Sequence, residues 1–245
     1  MTSNITDINP KTYARAGGIA YLVIIVVGLF GEMFIRDAII VSGDAAATAK
    51  NILASPVLWR LGIAGDLLMH ICDMILLMVM YTLLKPVNKN LALLMVLFNV
   101  IQTAVLVANK MNLMTPLFLS GDADYLKALD PGQLQALAYV SIKSHAYGFG
   151  NGLIYFGCAC LVSGYLIFRS GYFPKVIGWM MQIAGLCYVI NSFALVIAPA
   201  FADRLFPFIL LPAFVGETSL CLWLIIKGVK LQEWKETTGA LYIEV

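Results

Sequence analysis

The stretch that decides the fold class is Leu58–Leu84, which reads LWRLGIAGDLLMHICDMILLMVMYTLL. It is longer than the roughly 20 mainly apolar residues with which a helix crosses a hydrocarbon layer about 30 Å thick. It nevertheless carries Asp66, His70 and Asp73, and their i, i+4, i+7 spacing places the three side chains on one face of a helix. The stretch therefore predicts a membrane-spanning helix with a polar stripe along one side.

Five other segments share this apolar character. Every backbone amide inside a bilayer must be hydrogen-bonded internally, and these segments lack the polar alternation of barrel strands, so we expect helices. The sequence predicts an all-α fold, a polytopic membrane helix bundle forming a single transmembrane domain over residues 1–245. The six predicted transmembrane helices cover residues 16–35, 58–84, 90–113, 145–168, 176–198 and 206–226.

The composition of the 245 residues agrees with a membrane protein. Hydrophobic residues make up 61% and charged residues 12%, against about 25% charged in soluble domains, and the mean hydropathy is +0.87. These values exclude a disordered, fibrous or ordinary soluble chain. The net charge of +2 predicts no nucleic-acid partner, so the expected partner is the lipid bilayer. The five cysteines lie in apolar stretches without C-x-x-C spacing, and we interpret them as packing residues.

Lysine and arginine in the connections predict the orientation, because cytoplasmic loops carry an excess of both. The side with both termini would hold nine of these residues beside helix ends: Lys11, Arg15, Lys85, Lys89, Arg169, Lys175, Lys227, Lys230 and Lys235. The other side would hold seven, spread over longer connections: Arg36, Lys50, Arg60, Lys110, Lys127, Lys143 and Arg204. We expect both termini in the cytoplasm of a bacterium, and a first span that is retained in the cytoplasmic membrane rather than cleaved as a signal peptide.

Two of the longer connections predict short helices at the membrane interface. Asp44 is a suitable N-cap for a helix over Ala45–Leu53. Asp130-Pro131-Gly132-Gln133 combines a cap, a first-turn proline and a capping-box glutamine for a half-polar helix over Gln133–Ser144. We expect this second helix to lie at the interface before the fourth span.

Ionisable residues inside the spans predict a shared polar pocket. A charge at the bilayer centre costs roughly 2.5–3.5 kcal/mol on insertion scales, so such residues face bundle interiors or wet cavities. Their depths place most of them in the outer half, where the first, second, fourth and sixth helices would build a pocket closed below by apolar side chains. The predicted pocket residues are Glu32, Arg36, Arg60, Asp66, His70, Asp73, Asn109, Lys110, His145, Asn191 and Glu217.

Three kinds of function fit such a pocket. The first is binding or transport of a small solute or a proton, with Asp73 and Glu217 as the proton-exchanging acids. The second is a membrane-embedded enzyme, metal-dependent in one version, that acts on a lipid-like substrate. The third is an accessory membrane subunit, in which the buried polar residues only bond neighbouring helices.

The metal version rests on Asp66-x-x-x-His70, which places a carboxylate and an imidazole one turn apart. His145 and Glu217, or Glu32, would complete the shell of a divalent metal. Neither a G-x-S-x-G nor an H-E-x-x-H motif supports hydrolysis, although Ser141, Ser144 and His145 are close in sequence. A haem is disfavoured because the chain has only two histidines, His70 and His145, at different depths.

Several short segments resemble a known family. They are Ala14–Gly18 with Tyr21-Leu22, Gly43–Ala49, Arg60–Ile63, Tyr81-x-x-Leu84–Asn88, Gly164–Leu166, and Gly216-Glu217 with Leu222–Leu224. The chain is similar, over nearly its whole length, to a family of bacterial multi-pass membrane proteins catalogued only as a domain of unknown function. The resemblance implies an integral bacterial membrane protein, and it carries over no catalytic or ligand-binding residue.

Overall fold

The computed structural model describes residues 9–121 and 123–239, and within them the chain is helical without a β-strand. The helices are α1 Pro10–Ile39, α2 Ala45–Ala54, α3 Pro56–Leu84, α4 Lys89–Leu119, α5 Pro131–Arg169, α6 Lys175–Ile197, α7 Pro199–Leu205, α8 Phe208–Ile226 and α9 Leu231–Thr238. Six of them (α1, α3, α4, α5, α6 and α8) are long and apolar enough to cross a membrane. The structure thus confirms an all-α polytopic bundle, and most of its spans extend beyond their predicted limits.

The six spans alternate in direction, which gives the bundle two distinct ends. The terminal end carries the start of α1, the turns at Lys85–Asn88 and Ser170–Pro174, and α9. The opposite end, which we call the α2 end, carries α2, α7 and a 3-10 turn over Asp124–Ala128. Within the bundle α1 packs on α3 and α8, α5 packs on α4 and α6, and α6 packs on α8.

The predicted helix starts at the α2 end are confirmed, but one predicted interfacial helix is not separate. Asp44 accepts a hydrogen bond from the amide of Ala47 (2.8 Å), and Asp130 with Gln133 forms the capping box of α5. Residues 133–144 continue directly into the fourth span, so α5 is one helix of 39 residues. The reason is that 133–144 contain no glycine or proline to end the helix, and Ile142 packs in a core at the α2 end.

A dense apolar core closes the terminal end. Leu83, Leu84, Leu166 and Ile167 are all fully covered there. Tyr172, in the turn after α5, donates its hydroxyl to the carbonyl of Leu83 (2.5 Å). Burial raises the pKa of Tyr172 above its ordinary value, so the hydroxyl remains a proton donor.

Two glycine pairs hold α5 and α6 in backbone contact. Gly157 of α5 faces Gly185 of α6, and Gly164 faces Gly178. A Cβ atom added at Gly164 would lie 2.7 Å from the carbonyl oxygen of Gly178, closer than such atoms approach. Because the residues at this interface are small, the two helix backbones touch directly and do not need interlocking side chains, as is common in membrane bundles.

Two spans depart from regular α-helix near the same level of the bundle. In α1 the segment Gly31–Arg36 forms a wider π-helical turn, and α4 is interrupted at Lys110. Widened turns of this kind occur frequently at functional sites, because they re-aim side chains within a helix. Both irregularities lie beside Asp66 of α3.

Candidate functional site

All six spans line one cavity of about 760 Å³ in the middle of the bundle. At the α2 end its walls are charged or polar. Toward the terminal end they become mostly apolar, and the lining there includes Leu76, Leu77, Met80, Met95, Ala159, Met181 and Leu220, with the hydroxyl residue Ser163. The stripe predicted on the second span faces this cavity, because Asp66, His70 and Asp73 all line it.

The polar end is organised by what we call the Asp66 cluster: Glu32, Arg36, Asp66, Lys110 and His145. Asp66 is 1% exposed, and one of its carboxylate oxygens accepts hydrogen bonds from both Arg36 (2.9 Å) and Lys110 (2.8 Å). Arg36 also pairs with Glu32 (2.5 Å), and the Lys110 ammonium lies 3.4 Å from Nε2 of His145. Two cations therefore lie beside two carboxylates. With a neutral imidazole at His145, the cluster carries no net charge.

The local backbone explains how these residues meet. A Cβ at Gly31 would lie 3.4 Å from both Asp66 and the Arg36 guanidinium, so the backbone of this glycine packs directly beside the ion pair. The π-helical turn carries Glu32 and Arg36 on the same short segment. At the break in α4, the carbonyl of Lys110 still accepts from two later amides while its side chain is only 4% exposed.

A second group, the Glu217 cluster, consists of Glu217, Tyr21 and Tyr188. The carboxylate of Glu217 accepts a hydrogen bond from Tyr21 (3.0 Å) and another from Tyr188. The ring of Phe156 lies against the ring of Tyr188, with centroids 5.3 Å apart. The three spans α1, α6 and α8 are thus joined around one carboxylate that faces the cavity.

Asp73 completes the acidic side of the cavity. Its carboxylate accepts a hydrogen bond from the hydroxyl of Thr103 on α4 (2.6 Å). In the ranges 9–121 and 123–239, neither Asp73 nor Glu217 forms an ion pair with lysine, arginine or histidine. Both carboxylates therefore have hydroxyl partners only, unlike Asp66.

Two buried polar atoms of the cavity-lining residues have no hydrogen-bond partner. They are Nε2 of His70, whose side chain is 4% exposed overall, and Oδ1 of Asn191. Buried polar groups are normally hydrogen-bonded, and an exception at a cavity leaves an unused donor or acceptor for a bound molecule.

The cavity brings together nine of the eleven predicted pocket residues, and two stay outside its lining. Arg60 is exposed on the outside of α3, which corrects its assignment to the pocket. At 3.6 residues per turn it lies about 120° around the helix from Asp66. Asn109 is buried behind the lining, where its amide donates to the carbonyl of His145 (2.8 Å).

The proposed metal set of Asp66, His70, His145 and Glu217, or Glu32, also needs correction. Across the part of the chain that the structure describes, no three His, Cys, Asp or Glu side chains lie close enough to hold a metal ion. The physical reason is that Arg36 and Lys110 occupy the positions beside Asp66 that a cation would take.

Tyr21, Tyr188 and Thr103 are the site residues that the sequence reasoning missed. Tyrosine in membrane proteins concentrates at the interfaces, where its hydroxyl reaches water. Tyr21 and Tyr188 instead lie well inside their spans, which indicates that each hydroxyl has a buried partner. The position of the two tyrosines within the spans could therefore have identified them from the sequence. No sequence feature identifies Thr103, since threonine is common in spans.

Comparison with known proteins agrees with the resemblance seen in the sequence. An uncharacterized protein of Archaeoglobus fulgidus is 30% identical over 171 residues, which cover 70% of this chain and 86% of that relative. No solved structure matches the chain. The family described as Domain of unknown function (DUF4386) matches residues 16–228. Since that match covers most of the sequence, the chain belongs to the DUF4386 family.

Proposed function

We propose that the protein binds a small, mainly apolar molecule with a polar end in the cavity between its six spans, and holds it there or transports it. The observation that carries this proposal is the cavity itself, whose volume of about 760 Å³ falls within the range of small-molecule sites. Its apolar walls suit a hydrocarbon or aromatic body. The buried polar atoms along one part of it suit a polar group.

The shape of the cavity supports entry from the α2 end. There it reaches Glu32, Lys143 and Asp203, whose side chains are exposed. At the terminal end the fully covered Leu83 and Leu166 belong to the packed core. A molecule therefore enters from the α2 end, and transport requires a second arrangement in which this core opens.

A bacterial cytoplasmic membrane with both termini in the cytoplasm is the location that we propose. Nine lysine and arginine residues lie beside helix ends on the terminal side, against seven spread along the α2 side. Two of those seven, Arg36 and Lys110, bond Asp66 inside the bundle. The excess of lysine and arginine on the terminal side supports a cytoplasmic location for both termini.

The binding proposal is tested by filling the cavity. Ala146 lines it, whereas Ala104 of α4 is exposed on the outside of the bundle, so Ala146→Phe and Ala104→Phe are matched variants. Each purified protein is extracted with organic solvent, and co-purifying molecules are quantified by mass spectrometry. We expect a stoichiometric small molecule with the wild type and Ala104→Phe, reduced at least fivefold in Ala146→Phe. Equal recovery from all three proteins would overturn the proposal.

The orientation is tested by labelling intact cells with a membrane-impermeant maleimide. Lys50→Cys places a thiol on α2, and Lys230→Cys places one before α9, both in exposed positions. We expect labelling at position 50 in intact cells and at position 230 only after lysis. The reverse pattern would place the termini outside. The unsubstituted protein, whose five cysteines lie in the spans, serves as the background control.

A further inference from the structure

The charges that face the cavity are not balanced along its length. The Asp66 cluster contains two cations for two carboxylates, so it needs no further charge. Deeper in the bundle, Asp73 on α3 and Glu217 on α8 face the same cavity. Their hydrogen-bond partners are the hydroxyls of Thr103, Tyr21 and Tyr188, none of which carries positive charge.

A carboxylate buried among apolar helices is costly unless a positive charge lies beside it. Within residues 9–121 and 123–239, no lysine, arginine or histidine supplies that charge to Asp73 or Glu217. The compensating charge must therefore come from outside the chain, as a bound cation or as a proton.

The walls around Glu217 favour an organic cation over a metal ion. Tyr21, Tyr188 and Phe156 line the cavity beside Glu217, and aromatic faces attract ammonium groups. A divalent metal prefers several oxygen or imidazole ligands, and the described residues form no such group of three acidic, histidine or cysteine side chains. Directly below, Leu77 and Leu220 offer an apolar surface for the rest of the molecule.

An independent observation points to the same place. His70 lies one turn before Asp73 on the cavity-lining face of α3, it is 4% exposed, and its Nε2 atom has no partner. In a neutral imidazole the ring nitrogen that carries no proton accepts a hydrogen bond, and Nε2 is that nitrogen in one of the two tautomers of His70. An amine beside Asp73 would supply that missing donor as well as the missing charge.

We propose that the molecule bound in the cavity is an amphiphilic organic cation whose charged group lies between Asp73 and Glu217. Its apolar body extends along the leucine-lined walls toward the terminal end. This proposal rests on the binding function proposed above and specifies the class of ligand. The Asp66 cluster, being balanced, does not hold the charge of the ligand, and it lies between the two acids and the open α2 end.

The test compares two ions of nearly equal size and shape and opposite charge, tetraphenylphosphonium and tetraphenylborate. Binding of each radiolabelled ion to the purified protein is measured by scintillation proximity. We expect tetraphenylphosphonium to bind the wild type at least tenfold more tightly than tetraphenylborate. Glu217→Gln and Asp73→Asn should each weaken binding of the cation at least tenfold, whereas Glu233→Gln in α9, a matched change outside the cavity, should leave it unaltered.

The possible outcomes separate this inference from the binding proposal. If both ions bind equally, or if the cation binds equally to wild type and both acid variants, the cavity still binds apolar molecules but the cationic class is wrong. If the cation does not bind while the molecule recovered from the wild type is neutral or anionic, the inference is likewise overturned. If Ala146→Phe also changes nothing, the binding proposal itself fails. Two acid variants are used so that a misfolded one, recognised by its chromatographic profile, leaves the other informative.

Discussion

Asp66 and Asp73 lie seven residues apart on the same face of α3, about 10 Å along the helix, and they are stabilised in opposite ways. Asp66 accepts hydrogen bonds from two cations, Arg36 and Lys110. Asp73 accepts one from a hydroxyl, that of Thr103, and Glu217 across the cavity accepts two from phenols. The same kind of side chain is thus part of a closed ion-pair network at one level and part of an uncompensated acidic surface at the next.

The role of a buried acid, in folding or in binding, can be inferred only when its hydrogen-bond and charge partners are known. An ion pair with satisfied geometry can be explained by assembly alone, because removing one partner leaves the other charge unpaired. An acid with hydroxyl partners has hydrogen bonds but no opposite charge beside it. The first arrangement predicts large effects on folding, and the second predicts smaller effects on folding and larger ones on binding.

The largest expected effect on folding is that of Asp66→Asn. It leaves Arg36 with its partner Glu32 but deprives the buried Lys110 of its carboxylate, so we expect a loss of about 3–5 kcal/mol in the free energy of unfolding. Unfolding in SDS, followed by circular dichroism, measures it. Asp203→Asn is the matched control, because Asp203 also lines the cavity but is exposed, and its loss should stay below about 0.5 kcal/mol.

A double variant separates the ion pair from simple loss of packing. Lys110→Met removes the charge that Asp66→Asn leaves unpaired while keeping most of the side-chain volume. Combined with Asp66→Asn, it should recover at least about 1 kcal/mol relative to the single variant, since the two sites are in contact. Additive losses would mean that the Asp66 cluster is not the coupled unit described above.

A smaller loss is expected for Thr103→Val, which keeps the shape of the side chain and removes the hydroxyl from Asp73. An unsatisfied buried acceptor costs about 1–3 kcal/mol. Thr115→Val on the same helix is the control, because its hydroxyl bonds only to the carbonyl of Met111 within α4. The same SDS titration should show at least twice the loss for the first variant, and equal losses would argue that Asp73 has another partner.

Much of this arrangement was predictable from the sequence. Hydropathy gave the six spans because lipid admits only helices or closed barrels, and helical periodicity gave the stripe of Asp66, His70 and Asp73. The depth argument also placed Lys110 near Asp66. These inferences hold because they depend on one helix at a time, or on distance along the membrane normal alone.

The other features of the site depend on the rotation of each helix about its own axis and on local backbone geometry, and a single sequence specifies neither. Arg60 lies at the same membrane depth as the cavity, but its position around the axis of α3 turns it away from the cavity. Only the rotation of the helix in the bundle shows this. The π-helical turn at Gly31–Arg36 changes which direction the later side chains of α1 face. Residues 133–144 look amphipathic and interfacial, yet they pack as the first turns of α5 because α2 and α4 provide a surface for them.

Tyr188→Phe tests the hydroxyl-bonded side of the comparison. Glu217 keeps its bond from Tyr21, so the variant should lose about 0.6 kcal/mol and not more than about 1.7 kcal/mol, the range measured for such bonds between membrane helices. Steric trapping in bicelles has the precision to measure this. Tyr155→Phe, at an exposed position of α5, should cause no measurable loss. A loss as large as that of Asp66→Asn would show that Glu217 is a structural centre rather than part of a binding surface.

The smallest effect is expected where a charge pair reaches the exposed edge of the Asp66 cluster. Glu32 is 59% exposed although it lies 2.5 Å from Arg36, and exposed pairs contribute about 0.2–1 kcal/mol. Glu32→Gln should therefore cost less than about 1 kcal/mol, because Arg36 retains Asp66 and water or lipid headgroups replace the lost oxygen. The loss should shrink further as salt is raised from 0.05 to about 0.5 M, since exposed charges are screened. A salt-independent loss of several kcal/mol would mean that the buried network extends to Glu32. Removing any one charge of the balanced cluster would then destabilise the fold.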